Sequence, residues 1–448
     1  MLVILLALGR LWWLPAHAPL NVNEGWNAGH AVRAFGSALL YPAPDALVAN
    51  NYPPLSFFVV GAVGHVVGDH IVAGRIVSLL AEMATGGAVY AIVARLTGAR
   101  IWAAAGALLF AGFAVTLLRS YLAMNDPQWL GQAMMAWALV LLVPRHSGER
   151  ASAGAVVAAA ALVVAGGLVK HNLVAIPLAA TLWLWFADRR ALAVWVAAGA
   201  AFAAAACAGL FAIWGPNVFL DVLAPARSYS LARMAAQGAP LLLALLPGFL
   251  ASRPLVAQRR VDPRYLLPLL LLAVAISTAI VQRSGDGVDI NATFESIFAL
   301  TIAVPAACAL RPAAPWRWLG TAALPVLVLA PVAVVADVRE LAGRGAAVRH
   351  WQPFIDRVAA ASGPVACDDQ AVCYWAGKES ALDFFAIKQR LLKGDVPAFR
   401  TALDSHAFEL IAMRSNNPGW HENRLIPAVR ARYRPVYADG GFELLVAR

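Results

Sequence analysis

The sequence is short of charge. Of its 448 residues, 13% are Asp, Glu, Lys or Arg, about half the roughly 25% of an ordinary soluble domain. Lysine is almost missing: Lys170 is the only one before Lys378, and Lys388 and Lys393 complete the set. Cysteine is scarce as well. Cys207 and Cys308 lie in apolar runs and read as packing residues, Cys367 and Cys373 lie in the polar tail, and no CxxC or Cys/His spacing points to structural zinc. There is no internal repeat and no nucleic-acid motif. The net charge of +10 and a pI near 9.8 therefore do not indicate a nucleic-acid partner. The arginines sit in short loops between apolar runs, where they set membrane orientation.

Apolar sequence is abundant: 61% of residues are hydrophobic and the mean hydropathy is +0.68. A membrane helix needs about 20 apolar residues. Stretches approaching that length cover roughly 1–17, 71–95, 101–118, 128–143, 152–169, 173–187, 191–213, 239–252, 265–281, 292–310 and 317–336, which predicts a polytopic α-helical membrane protein of about eleven spans. Ala16-His17-Ala18 matches a signal-cleavage pattern. No positive charge precedes the apolar run and Pro19 would begin the mature chain, so the first helix is expected to be retained.

Every second loop is basic: Arg95/Arg100, Arg145/Arg150, Arg189/Arg190, Arg253/Arg259/Arg260/Arg264 and Arg311/Arg317. The positive-inside rule places these in the cytoplasm. The intervening loops, with Glu24, Asp126, Lys170-His171, Asp221 and Asp286/Asp289, then share the outer face of the inner (plasma) membrane. The run Leu55–Val67 fits no span in this alternation and is expected to be re-entrant or interfacial. Residues 1–337 read as the membrane domain, with a first outer loop at 18–54, and 338–448 as a small extracytoplasmic α/β domain. In that domain 408–413 and 442–446 read as strands and 421–433 as a helix. An outer tail sits in an oxidising compartment, so Cys367 and Cys373 are expected to form a disulfide.

The candidate chemistry clusters in the outer loops. Asn21-Val22-Asn23-Glu24-Gly25-Trp26-Asn27 is a polar segment between apolar runs. Glu24 is either a solvated helix-start acid or a general base at a water–lipid boundary, with Asn23 and Asn27 as substrate contacts. Asp126 precedes Pro127 and reads as a helix cap that can also face the same pocket. Lys170 is either a snorkelling anchor or, with His171 and Asn172, a phosphate-binding group. Arg75 shares a helix face with Glu82 and reads as a structural pair or a cavity-facing cation. Asp289, Asn291 and Glu295 belong to a glycine-rich loop and the helix after it, where backbone can approach a ligand closely. Glu24, Asp126 and Asp289 could also join a divalent-ion site, although no ligand spacing demands one.

The order of these segments resembles the polytopic glycosyltransferases of the GT-C superfamily, in the protein O-mannosyltransferase and aminoarabinose-transferase-like branch. The resemblance is carried by Asn23-Glu24-Gly25-Trp26-Asn27, Tyr52-Pro53-Pro54-Leu55, Gly68-Asp69 with Gly74-Arg75, and Asn125-Asp126-Pro127. Gly287…Asn291…Glu295 and Cys367-Asp368-Asp369…Ala376-Gly377-Lys378 fit more loosely.

The resemblance implies an enzyme that moves a sugar from a polyprenyl-phosphate donor to an extracytoplasmic lipid, glycan or protein acceptor, with inversion. It also implies that Glu24, the acid of the first outer loop, takes the acceptor's proton, with Asp126 at the second acidic position as the alternative. Two departures stand out. Asn23 replaces an aspartate common in the family, and Tyr52 replaces a phosphate-binding lysine of some relatives, whose part falls to Lys170 or Arg75. The competing readings are a transporter or lipid flippase, against which the missing repeat argues, and a non-catalytic assembly subunit of envelope polysaccharide synthesis.

Overall fold

The computed structural model describes residues 2–223, 228–311, 314–415 and 425–448. Helix α1 (Leu2–Trp13) leads through a short turn to α2 (Asn23–Phe35). A long irregular connection then reaches α3 (Leu55–Val67) and α4 (His70–Thr97). Local chemistry sets the α3–α4 junction. Gly68 adopts a left-handed φ of 84° that ends α3, and Asp69 caps α4 by accepting from the N–H groups of Ile71 (2.7 Å) and Val72 (3.0 Å). The 13 residues of α3 are about 20 Å long, well short of a bilayer core of about 30 Å.

The bundle continues through α5 (Arg100–Val115), α6 (Gln128–Leu142), α7 (Ala153–Val169), α8 (Ala175–Ala187), α9 (Arg189–Trp214) and α10 (Asn217–Leu223). It is completed by α11 (Leu231–Ala251), α12 (Pro254–Gln258), α13 (Leu266–Gln282), α14 (Phe294–Ala309), α15 (Pro315–Ala322) and α16 (Leu324–Ala360). Every residue from Phe294 to Cys308 is buried. A helix that is apolar on all sides belongs at the centre of a bundle, and α14 takes that place. In α9, by contrast, the most apolar window has no buried residues, which suits a helix facing lipid.

A helix occupies each of the eleven stretches expected from the sequence. By length and composition, however, five helices among the described residues can cross a membrane: His70–Thr97, Arg189–Trp214, Leu231–Ala251, Pro263–Gln282 and Ile290–Ala309. A sixth is added if α15 and α16, bent by 46°, form one span. The other apolar helices run from 10 to 17 residues.

The two ends of the bundle differ. At one, arginines bind helix-terminal carbonyls. Arg264 Nη1 reaches the carbonyls of Arg95 (2.9 Å) and Arg145 (3.1 Å), Arg95 reaches that of Val143 (2.7 Å), and Arg311 reaches that of Ala251 (3.2 Å). The acids of the alternate loops gather at the other end, beneath the tail.

Helix α16 runs without a break through the 337/338 boundary and carries the chain to a four-stranded sheet that begins at Val365. The remaining elements are β1 (Val365–Cys367), α17 (Gln370–Trp375), α18 (Phe384–Lys393), α19 (Pro397–Asp404), β2 (Leu410–Arg414), α20 (Leu425–Arg432), β3 (Tyr433–Asp439) and β4 (Phe442–Ala447). The strand order is β1-β2-β4-β3. Strand β1 pairs parallel to β2 (Ala366 opposite Ile411), and the other two pairings are antiparallel. A parallel pair needs a long crossover, here supplied by α17–α19.

The strands expected at 408–413 and 442–446 correspond to β2 and β4. The helix expected at 421–433 is shorter, and its first residues lie outside the described segments. The expectation missed β1 and β3. Strand β3 contains Pro435 and is mostly exposed, an edge-strand signature that hides the apolar alternation.

The tail locks onto the membrane half through α17. Tyr374 Oη accepts the His70 N–H at 2.6 Å and Trp375 Nε1 donates to Asp69 at 3.1 Å. Cys367 and Cys373 are joined in a disulfide, with Cα atoms 5.9 Å apart. Helix α17 lies so close to α2 that a Cβ on Gly25 would overlap the backbone of Gln370 and Ala371. Gly25→Ala is therefore expected to force the two helices apart and to cost about 1–3 kcal/mol. Thermal unfolding of the purified protein in detergent checks this, and an unchanged melting temperature would show that the contact is not tight.

Candidate functional site

Glu24 and Arg75 form the centre of the end beneath the tail, and neither side chain has any solvent exposure. Arg75 Nε donates to Glu24 Oε1 at 2.8 Å and Nη2 to Oε2 at 2.7 Å. The remaining guanidinium hydrogens go to the carbonyls of Leu14, Ala16 and Ala18, each at 2.9 Å. All five donors of the arginine are thus spent on protein. Glu24 is equally occupied: Oε2 also accepts the Leu20 N–H at 2.7 Å and Oε1 the Asn125 N–H at 3.1 Å. The expectation that Glu24 takes a proton and that Arg75 binds a donor phosphate meets a pair with no free acceptor and no free donor. The geometry is that of a clamp joining the end of α1, the start of α2, α4 and the loop before α6.

Asp126 and Lys170 form a second buried pair, Nζ to Oδ1 at 2.9 Å, with side-chain exposures of 1% and 2%. Asp126 Oδ1 also caps α6 through the Gln128 N–H at 2.8 Å. Lys170 Nζ lies 4.8 Å from the centre of the Tyr52 ring, so the lone lysine of the membrane half comes to the residue that replaces the relatives' lysine. Asp126 Oδ2, Asn27 Oδ1 and Ser56 Oγ are buried without a hydrogen-bond partner among the described residues. All three residues line one crevice of about 10 Å³ between α2, α3 and α6. That is roughly the volume that holds one water-sized group.

The other candidates separate. Glu295 is a cap: its oxygens accept the Ala175 N–H (3.2 Å) and Ile176 N–H (2.9 Å), placing a carboxylate on the positive end of α8. Asn172 exchanges hydrogen bonds with Gln282, its Nδ2 to Oε1 and the Gln282 Nε2 to its own carbonyl, both at 3.0 Å. His171 is exposed beside it. Asn27 Nδ2 donates to the carbonyls of Asn23 and Asn125, both at 2.9 Å.

Asn23, Tyr52, Asp289 and Asn291 line a cavity of about 620 Å³ whose far wall belongs to the tail. The tail supplies Asp368, Asp383, Lys388, Arg390 and Arg414 to it, of which the sequence marks only Asp368, in a loosely fitting motif. Trp26 Nε1 donates to Asp383 at 2.9 Å. Burial raises the Asp383 carboxyl above the usual range. Burial opposes the charge on Asp286 too, yet hydrogen bonds from Gln389 (2.6 Å) and Lys388 (3.3 Å) hold its carboxyl below that range. Among the described residues, no three His, Cys, Asp or Glu side chains stand together as metal ligands, and Glu24, Asp126 and Asp289 do not assemble into such a group.

Comparison with known proteins bears on this arrangement. A family model described as dolichyl-phosphate-mannose-protein mannosyltransferase matches residues 51–214, the stretch that carries Tyr52, Arg75, Asp126 and Lys170. The structure superposes on ArnT from Cupriavidus metallidurans in the apo state, with a TM-score of 0.64 at 14% identity over 99% of this chain and 97% of that one. The same protein bound to undecaprenyl phosphate gives 0.65 at 12% identity, with the same coverage. The chain shares the overall fold of these membrane proteins. The oligosaccharyltransferase of Archaeoglobus fulgidus, tethered to an acceptor peptide, also matches (TM-score 0.52, 11% identity, 100% of this chain and 74% of that one). No curated protein sequence matches the chain.

The clamp depends on one small residue. A Cβ on Gly74 would overlap the Asn125 side chain, which donates through Nδ2 to the Glu24 carbonyl at 3.1 Å. Gly74→Ala should push the Asn125–Asp126 loop off the clamp and destabilise the protein by about 1–3 kcal/mol. Gly167→Ala, where a Cβ meets nothing within 4 Å, serves as the neutral control in the same melting experiment. Equal melting temperatures for the two variants would contradict the clamp geometry.

Proposed function

We propose that the protein is a membrane glycosyltransferase that moves a sugar from a polyprenyl-phosphate donor to an acceptor on the outer face of the inner membrane. The observation that carries the reading is that Asp126, Asn27 and Ser56, each with a buried side-chain oxygen that has no hydrogen-bond partner among the described residues, line one crevice. A lysine paired to that same aspartate stands beside it. The fold supports it, since solved relatives hold undecaprenyl phosphate, or dolichol-phosphate and an inhibitory peptide. The separation of arginine-lined and acid-lined ends supports the outward placement of the site and the tail.

In this reading Asp126 accepts the proton of the acceptor's nucleophilic O–H or N–H. The acceptor atom bonds to the anomeric carbon from the face opposite the phosphate. The anomeric C–O bond breaks, its electron pair leaves on the phosphate oxygen, and configuration inverts. Lys170 orients Asp126 and offsets negative charge on the leaving phosphate. Glu24 and Arg75 hold the loops in place and touch neither substrate.

Purified protein in lipid nanodiscs, incubated with a panel of polyprenyl-phosphate sugars and acceptors, should consume one donor and release polyprenyl phosphate. Asp126→Asn, which keeps the α6 cap and the Lys170 contact, should lower kcat by about 10²–10⁴-fold while polyprenyl phosphate still binds. Lipid-linked sugars that bind without being consumed would favour the assembly subunit. Intact donor carried across a bilayer would favour the flippase.

A further inference from the structure

Helix α10 places a carboxylate in the large cavity from the membrane side. Val218 and Val222, one turn apart, are buried against Leu40, Tyr41 and Phe57, which bolts the helix to the α2–α3 segment. Leu220 and Leu223 are 48% and 70% exposed. Asp221 and Leu220 both line the cavity. Asp221 is 9% exposed, and its Oδ2 has no hydrogen-bond partner among the described residues.

Five carboxylates line this cavity: Asp221, Asp286, Asp289, Asp368 and Asp383. The others are matched. Asp286 meets Lys388 and Gln389, and Asp289 caps the Ile290 N–H at 2.7 Å. Asp368 faces Arg414 at 3.8 Å and Asp383 holds Trp26. Asp221 is the one whose oxygen is both buried and unpartnered among the described residues. The nearby cation, Arg390, spends its Nη1 on the Ala46 carbonyl. Natural proteins rarely leave a buried polar atom unmatched, and an exception in a cleft points to a ligand.

A carboxylate is an acceptor only, so its complement must bring donors. The half-exposed Leu220 and the exposed Leu223 give the helix an apolar surface beside the cavity, the kind of surface that a headgroup with its chain in the bilayer would pass. We propose that Asp221 reads the sugar carried by the lipid donor, its free oxygen accepting hydrogen bonds from that sugar's hydroxyl groups. This rests on the glycosyltransferase reading and adds a specificity residue to it.

The test compares undecaprenyl-phosphoryl sugars with bare undecaprenyl phosphate, binding to the full chain in nanodiscs. The wild type should prefer one sugar-bearing lipid. Asp221→Asn should weaken that lipid by about tenfold or more, while bare undecaprenyl phosphate stays within about twofold. A donor lacking the contacted hydroxyl should bind both proteins equally. Asp221→Ala, with its melting temperature measured alongside, repeats the comparison if the asparagine variant folds poorly. A wild type that prefers a sugar lipid together with unchanged variants overturns the role of Asp221 alone. Equal weakening of both lipids, or a higher KM for the acceptor with donor binding intact, overturns it as well. A wild type with no preference for any sugar lipid overturns this proposal together with the reading beneath it.

Discussion

The architecture of the end beneath the tail depends on one buried ion pair. Taking a carboxylate and a guanidinium out of water costs several kcal/mol per ion, and the attraction repays this only when every remaining hydrogen-bonding group is also matched. Glu24 and Arg75 meet that condition. The arginine satisfies three carbonyls in the turn after α1, which have no helical partners of their own, and the glutamate collects two backbone N–H groups. Such a pair adds little net stability over apolar packing. What it adds is position, because two of the elements it ties carry Asn27 and Asp126 to the crevice.

Close backbone approach is the second constraint. Helix α17 reaches α2 only because Gly25 has no side chain, and Asn125 reaches the clamp only because Gly74 has none. The tail thereby becomes part of the cavity, contributing Asp383 to Trp26 and Lys388 and Gln389 to Asp286. Without the tail, the polar groups of the first loop would face open water, where the focusing of charge in a low-dielectric cleft is lost.

Much of the fold was legible in the sequence. Alternating arginine loops separated the two ends because positional charge is a one-dimensional signal. Two strands were visible because β2 and β4 are strongly apolar. The site was less legible, for a physical reason. Glu24 reads as a free acid because its neighbours are polar, yet its partner lies 51 residues away on another helix. Glu295 shares a helical spacing with Asn291, but its actual partners are the N–H groups that open α8. Lys170 was singled out by its rarity, and the structure added only its pairing with Asp126 and its nearness to Tyr52. Composition marks which residues are unusual; it does not say whether a charge is spent on protein or left for a substrate.

The central claim is that Glu24 is a clamp and that the chemistry lies with Asp126. A double-mutant cycle on Glu24→Gln and Arg75→Gln, read by unfolding in detergent, tests it most directly. Each single change should cost about 3–5 kcal/mol, since each strands a buried charge. The double variant should cost less than their sum, with a coupling of up to about 3 kcal/mol. Additive or negligible costs, with a Glu24→Gln protein that melts like the wild type but no longer turns over donor, would contradict the account and return the base to Glu24.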